Sequence, residues 1–310
     1  MNTRIGVIGS NMVDLITYVS RMPEAGETLE APRFEMGAGG KGANQAVAAA
    51  KLGSDVLMVS CVGADLFGRN TLRNFEELGI DARHVRTVPG LSSGVAPIFV
   101  EPNGENRILI VKGANDALAP EDIEAAAEDL RGCRLILLQL EIPLETVYHA
   151  IAWAAGNGIA VLLNPAPATT ALSIERIGGI EFFAPNQTEL ATLTGLAADS
   201  PDAAEHAART LLDQGVGSVI VTLGADGALL VEKDATHVIA PVPVLARDTT
   251  GAGDAFIGAF AHHLAAGHDR LQALQQAARY AADAVTRPGT QKSFASAERF
   301  AEFCRGLRAG

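Results

Sequence analysis

Apolar residues in this chain gather into short, unbroken runs, separated by longer stretches in which they recur every third or fourth position. The first run, Ile5, Val7 and Ile8, reads as a β-strand that stops at Gly9-Ser10. DVLMVSCVG, RLILLQL, IAVLLN and GSVIVTL read as further strands. FGRNTLRNFEELG, EDIEAAAEDLRG and PLETVYHAIAWAAGNG carry the helical period, the first ending at Gly79, and more helices begin near Asp254 and Leu271. Unalternating apolar strands between amphipathic helices predict an α/β fold, with a mostly parallel sheet covered by helices on both faces. No repeat, low-complexity tract or linker divides the chain, so residues 1–310 are expected to form a single domain.

Two segments break this rhythm. Residues 13–36 show no clear helix, and residues 93–113 read as a hairpin around Asn103-Gly104. Together they predict a small sheet that serves as a lid, because ligands of open α/β sheets sit at the carboxyl ends of the strands.

Charge and composition narrow the partners. The formal net charge is −12 and no run of Lys or Arg forms a stripe, which argues against nucleic acid and anionic membrane surfaces. No apolar run approaches the roughly 20 residues of a membrane span, and MNTRIGVIG lacks a signal-peptide core. Cys61, Cys133 and Cys304 are widely spaced and read as reduced, structural thiols, so a cytoplasmic location is expected. His262 and His263 are adjacent and should point to different sides of a helix, which suits a surface better than a metal.

Polar residues collect where the strands end: Asp14, Glu141, Asn164, Asn186, Thr222 with Gly224, and the stretch Asp248 to Asp254. Each alone can be a helix cap. Falling at one edge of one sheet, together they predict a ligand crevice. In DTTGAGDAF, Gly251 and Gly253 bring backbone N–H groups together at a helix N-terminus, an anion-binding arrangement, and Asp254 follows where a base beside a phosphoryl group would stand. The loop GAGGKGANQA also satisfies GxGxxG, which raises the rival of an NAD-dependent oxidoreductase. That fingerprint should follow the first strand at once, whereas about thirty residues intervene here, and Lys41 adds a charge it does not call for.

GGKGANQAVAAAKLG, LQLE, NPAP, PNQTE, TLGADG and DTTGAGDAF, in this order, resemble the ribokinase-like (PfkB) sugar kinases over essentially the whole chain. GGKGANQA and VTRPGTQKS are most like the ribokinase and deoxyribokinase branch. The resemblance implies a three-layer α/β/α sandwich with a small β-sheet lid and an ATP-dependent transfer to a pentose. It implies that Asp14, Gly39, Gly40, Lys41, Asn44 and Glu141 bind sugar hydroxyls and that Asp254 is the base. Gly251, Ala252 and Gly253 would form the anion hole. Asn186, Thr222, Gly224, Ala225, Asp226 and Gly227 would hold ATP together with Gly253, and Glu189 would act on Mg²⁺ through water. A monovalent cation, usually K⁺, is implied at Asp248, Thr250, Ala284, Arg287, Gly289 and Ser293.

The acceptor is expected to be 2-deoxy-D-ribose, phosphorylated at O5, with D-ribose as the alternative. Ribokinases typically carry Asn where this chain has Met12, and a thioether is a poor partner for a 2-hydroxyl. Asn11 should point away, unless a bulge turns it in. A sugar-binding regulator is disfavoured by the intact DTTGAGDAF stretch. A phosphorylated sugar such as fructose 6-phosphate would want more basic residues than Lys41 alone, and adenosine is a further acceptor to weigh. An exposed lid bearing Val95, Ile98, Val100, Ile108 and Ile110 is expected to pair with a second subunit as a homodimer.

Overall fold

In a computed structural model, which describes residues 3–102 and 105–309, the apolar runs do become strands of one large sheet. The Asn103-Gly104 turn lies outside the described residues. Strand β1 (Ile5–Ile8) runs parallel to both β4 (Val56–Gly63) and β8 (Leu135–Leu138), with Ile5 opposite Val56 and Leu135. The sheet continues past β8 through β9 (Ala160–Leu163), β10 (Phe182–Phe183) and β11 (Val219–Thr222), and past β4 it ends at β5 (Asp81–Val88). A hairpin of β12 (Ala228–Val231) and β13 (Thr236–Ile239) adds antiparallel strands beyond β11.

Successive strand residues feed opposite cores, which is why the strands are apolar throughout. Ile5, Val7 and Leu137 join the core beneath α1 (Lys41–Lys51), α2 (Leu66–Glu77), α8 (Ala252–Ala265), α9 (Arg270–Ala284) and α10 (Ala297–Ala309). Ile8, Ile136 and Leu138 join the other, beneath α3 (Pro120–Ala125), α4 (Ala127–Leu130), α5 (Leu144–Gly156), α6 (Gln187–Thr194) and α7 (Pro201–Leu212). Small residues let α1 and α8 approach closely: a Cβ at Gly258 would lie 2.5 Å from Cβ of Ala48 and 2.6 Å from the carbonyl oxygen of Gln45. This contact sets the start of α1 beside the start of α8.

The two irregular segments form a separate sheet, ordered β3 (Arg33–Gly39), β2 (Met12–Tyr18), β6 (Val95–Val100), β7 (Asn106–Ile108). Of the residues expected in its apolar patch, Ile108 and Ile110 are exposed, whereas Val95, Ile98 and Val100 are half-buried. Phe34 (56% exposed), Met36, Leu109 and Val111 extend the patch instead.

Three expectations change. EDIEAAAEDLRG is two short helices, α3 and α4, meeting at Ala126. The edge strands β5 and β13, which mix polar with apolar residues, were not apparent from the apolar pattern, nor was β12, a buried apolar run of only four residues. His262 and His263 are half-buried rather than simply solvent-facing. His262 meets Ser54 Oγ at 2.8 Å, and the His263 ring packs against those of His262 and His268 with Phe300 of α10 nearby. Burial pushes their pKa values down to about 4 and about 3. Among the described residues no helix is long and apolar enough to cross a membrane, and the thiols of Cys61 and Cys133 are free and buried.

Candidate active site

The start of α1 lies directly on the end of β1. A Cβ on Gly42 would sit 2.7 Å from the Ser10 backbone, and Gly40 adopts φ 86°, a conformation that favours glycine. Packed this closely, the Lys41 N–H donates to Glu141 Oε2 at 2.9 Å, and Ser10 Oγ donates to the same oxygen at 2.5 Å. Glu141, just beyond β8, is 4% exposed. Asp14 on β2 faces Gly39, where a Cβ would meet its Oδ1 at 2.3 Å, so only glycine admits the carboxylate there.

Asp254 stands in the first turn of α8, after the left-handed N-cap Gly251 (φ 75°). It is 6% exposed. Asn44 Nδ2 donates to its Oδ2 at 2.8 Å, and Gln45 Nε2 donates to its Oδ1 at 3.1 Å. Gln45 is held in turn by Gln139, whose Nε2 donates to Gln45 Oε1 at 2.7 Å, and also donates to Asn164 Oδ1. Ala252 and Gly253 complete the turn, and a Cβ on Gly253 would project into open space.

Lys41 lies among the acids. Burial opposes its charge, but Asp254, Glu141 and Glu189 outweigh that and leave its pKa raised. Burial, then the charges of Glu141 and Asp254, push the Asp14 carboxyl up to about 7, with a hydrogen bond from Thr290 pulling it back. Burial also raises Glu141, against the donors Ser10 and Lys41, and burial raises Glu189. The cluster therefore suits ligands bearing hydroxyl donors or cations. A cleft of about 650 Å³ opens beside it, between β2, α2 and the 288–292 segment, and shares Asp14 and Thr290 with it. Asp254 and Glu141 lie off its walls among the described residues.

The remaining predicted residues form two flanking groups. Asn186 caps α6 in a reciprocal box with Glu189, each side chain bonded to the other's backbone N–H at 2.8 Å, so both do serve as a helix cap. Thr222 ends β11 opposite Asn186, and Gly224, Ala225 and Asp226 form a turn closed by Gly227. A Cβ on Gly227 would meet the Ile239 carbonyl at 2.2 Å. In the second group, Asp248 accepts from Thr250 N at 2.9 Å and Gly289 N at 2.8 Å, joining two distant segments. Arg287 bonds the Ser293 carbonyl, and its N–H donates to the Ala284 carbonyl at 3.2 Å. Asn11 points away from the site: its Nδ2 donates to Ser60 Oγ and to the Cys61 carbonyl.

The sequence reading passed over Ser10, Gln45, Gln139, Thr290 and Gln291. All but Ser10 and Thr290 are amides inside or beside the recognised motifs, and that adjacency was the available signal.

Residues 2–297 match the model of the pfkB family of carbohydrate kinases. A deoxyribokinase of Salmonella typhi is 56% identical over 299 residues, 96% of this chain and 98% of its own. A ribokinase of Haemophilus influenzae is 37% identical, covering 98% of this chain and 99% of its own. The structure of Arabidopsis thaliana ribokinase complexed with ribose and ATP superposes with a TM-score of 0.91 at 30% identity, over 98% of this chain and 99% of that one.

Proposed function

The chain belongs to the pfkB family of carbohydrate kinases and is an ATP-dependent sugar kinase, and we propose that, as a single-domain enzyme, it transfers the γ-phosphoryl group of ATP to O5 of 2-deoxy-D-ribose. The observation that carries the chemistry is Asp254, a buried carboxylate at a helix N-terminus, held on both oxygens by amide donors and placed directly after Gly251 to Gly253. Asp254 takes the proton of the O5 hydroxyl as that oxygen attacks the γ-phosphorus and the bond to the β-phosphate oxygen breaks. N–H groups of the first α8 turn have no partner within the helix and face the charge on the moving group. Lys41, Asn44, Glu141, Asp14 and the Gly39-Gly40 backbone orient the sugar. Asn186, Thr222 and the Gly224–Gly227 turn receive the nucleotide.

Glu189 keeps one oxygen beyond its capping bond, which suits a water of a hydrated Mg²⁺; that ion shares the phosphate charge when bound. The Asp248 carboxylate and the carbonyls of Thr250, Ala284, Arg287, Gly289 and Ser293 are hard oxygen donors that fit K⁺. Asp248 already draws the two segments together through Gly289, and the Ala284 carbonyl, bonded once by the Arg287 N–H, keeps a second lone pair, whereas the Ser293 carbonyl accepts from both Nε and Nη2 of Arg287 and would have to give up one of these bonds to reach the ion. Activity and thermal midpoint should both rise when K⁺ is added to alkali-free enzyme, and a flat response in both removes the site.

Met12 supports the choice of acceptor. It is 3% exposed, sits two residues before Asp14 on the same side of β2, and belongs to neither core. With Asn11 bonded elsewhere, a ribose 2-hydroxyl buried there would forgo a hydrogen bond, at about 1–3 kcal/mol. Discrimination against the added hydroxyl should reach about 10²-fold at most. The test is kcat/KM for both sugars. Deoxyribose should win in the unmodified enzyme, and Met12→Asn should shift preference to ribose. Ribose preferred by the unmodified enzyme leaves a ribokinase.

The lid also supports a homodimer. Its outer face pairs Leu15 with Met36 and Pro97, and Thr17 with Phe34 and Phe99, an apolar surface that a second copy would cover. Light scattering should give twice the chain mass at micromolar concentration, and a monomer overturns this.

A further inference from the structure

A carboxamide can present either its oxygen or its nitrogen, and what stands on its far side decides which. Asn44 must turn Nδ2 towards Asp254, since the reverse would set two acceptors against each other. The donor that enforces this is Gln291 Nε2, 3.0 Å from Asn44 Oδ1. Gln291 is oriented in its turn by Asn74 of α2, whose Nδ2 donates to Gln291 Oε1 at 3.0 Å. Its backbone is fixed as well, because Lys51 Nζ donates to the Gln291 and Phe294 carbonyls at 2.7 and 3.0 Å. The relay Asn74–Gln291–Asn44–Asp254 thus runs with one polarity from α2 through the 288–294 loop and α1 to the carboxylate. Gln291, Asn44 and Asp254 are each at most 7% exposed, so water offers little substitute for a lost donor.

We infer that Gln291 is a positioning residue for the phosphoryl-transfer base: acting through Asn44, it fixes which face of that amide meets Asp254 and holds the carboxylate in its attacking geometry. This rests on Asp254 being the base. It also gives the 288–294 loop, which bears Gly289 and Ser293, a direct hold on the reacting centre.

Gln291→Glu keeps shape and volume but replaces the donor with an acceptor, so Asn44 must rotate and Asp254 loses a hydrogen bond to its charged form. Asn74→Asp does the same one step further out, setting an acceptor against Gln291 Oε1 and leaving the residues at 291, 44 and 254 unchanged. In Gln291→Glu, kcat should fall about tenfold or more. The acid limb of kcat against pH, read with sugar and MgATP saturating, should move up by about half a unit or more, because the lost donor had favoured the ionised carboxylate. The charge of Asp254 also acts on Asp14, Lys41, Glu141 and Glu189, so the limb is compared between variant and parent rather than assigned alone. Asn74→Asp should shift kcat and the limb in the same direction, by less. Thermal midpoints accompany both, and if Gln291→Glu does not fold, Asn74→Asp decides. An unchanged kcat, or a lower kcat with an unmoved limb, overturns the inference by reducing Gln291 to a packing or folding role. Asp254→Asn separates that result from failure of the parent reading. If it is inactive while the amide variants behave as the parent, only the inference falls; if it is active, the base assignment itself is wrong.

Discussion

On the side proposed for the sugar, Asn44, Gln45, Glu141 and Asp254 are at most 6% exposed, and each is fixed by a side-chain hydrogen bond. On the side proposed for the nucleotide, Asn186, Gly224, Ala225 and Asp226 are exposed, and the shape comes from a capped helix and a glycine turn. The first half is assembled from side chains whose orientation is locked, as suits a reacting hydroxyl that must be placed closely. The second is assembled from backbone, which can receive a polyphosphate whatever side chains its neighbours carry. Side-chain substitutions should therefore be severe on one side and mild on the other, with backbone changes reversing the order.

The largest effect should come from Asp254→Asn, which ought to lower kcat by at least about 10²-fold while sugar binding, followed by calorimetry, is largely kept. Near-normal kcat would break the comparison at its centre. Next is the pH response of Asp14, whose carboxyl is pushed up to about 7. A hydroxyl donor favours the ionised form, so sugar binding lowers this pKa and must weaken as pH falls. Below pH 7, kcat/KM for the sugar should drop about tenfold per unit, and Asp14→Asn should lower its value and flatten this limb. Smaller still is Gly251→Ala, where φ is 75° and the new Cβ would meet Thr290 Cγ2 at 2.5 Å. Left-handed backbone alone costs about 1–2 kcal/mol, read as a lower urea midpoint, and displacement of the first α8 turn should also reduce kcat. The smallest is Asn186→Ala, which removes the α6 cap at about 1 kcal/mol and should raise KM for ATP a few-fold without changing KM for the sugar.

The glycines and acids of the site were legible because each is needed where a motif places it. Gly39 admits Asp14, Gly251 turns the chain into α8, and Glu141 and Asp254 end up where strand and helix termini converge. The amides were not legible in the same way. Gln291 and Asn74 are separated by 217 positions, and nothing in a carboxamide announces which end it will present until its neighbours are in place. The partial burial of His262 and His263 was hidden for a related reason: Ser54, His268 and Phe300, from other segments, pack against them, which helical spacing alone does not show. The lid was legible as an interruption of helical rhythm, but which of its faces holds Phe34 and Met36 depends on the register of β2 against β3.

Strand β2 belongs to the four-stranded sheet, whereas Asp254 belongs to a helix embedded in the main body. On the proposed reading, Met12 and Asp14, which would meet the acceptor at C2 and C3, thereby lie on a different module from Asp254, which would activate its primary hydroxyl, while Lys41, Asn44 and Glu141 would hold the sugar from the main body. A change at Met12 leaves the hydrogen bonds of Asp254 untouched, so variation could explore new acceptors one step at a time without first forfeiting catalysis. Such a division would make substrate preference the evolvable property of this molecule and phosphoryl transfer the inherited one.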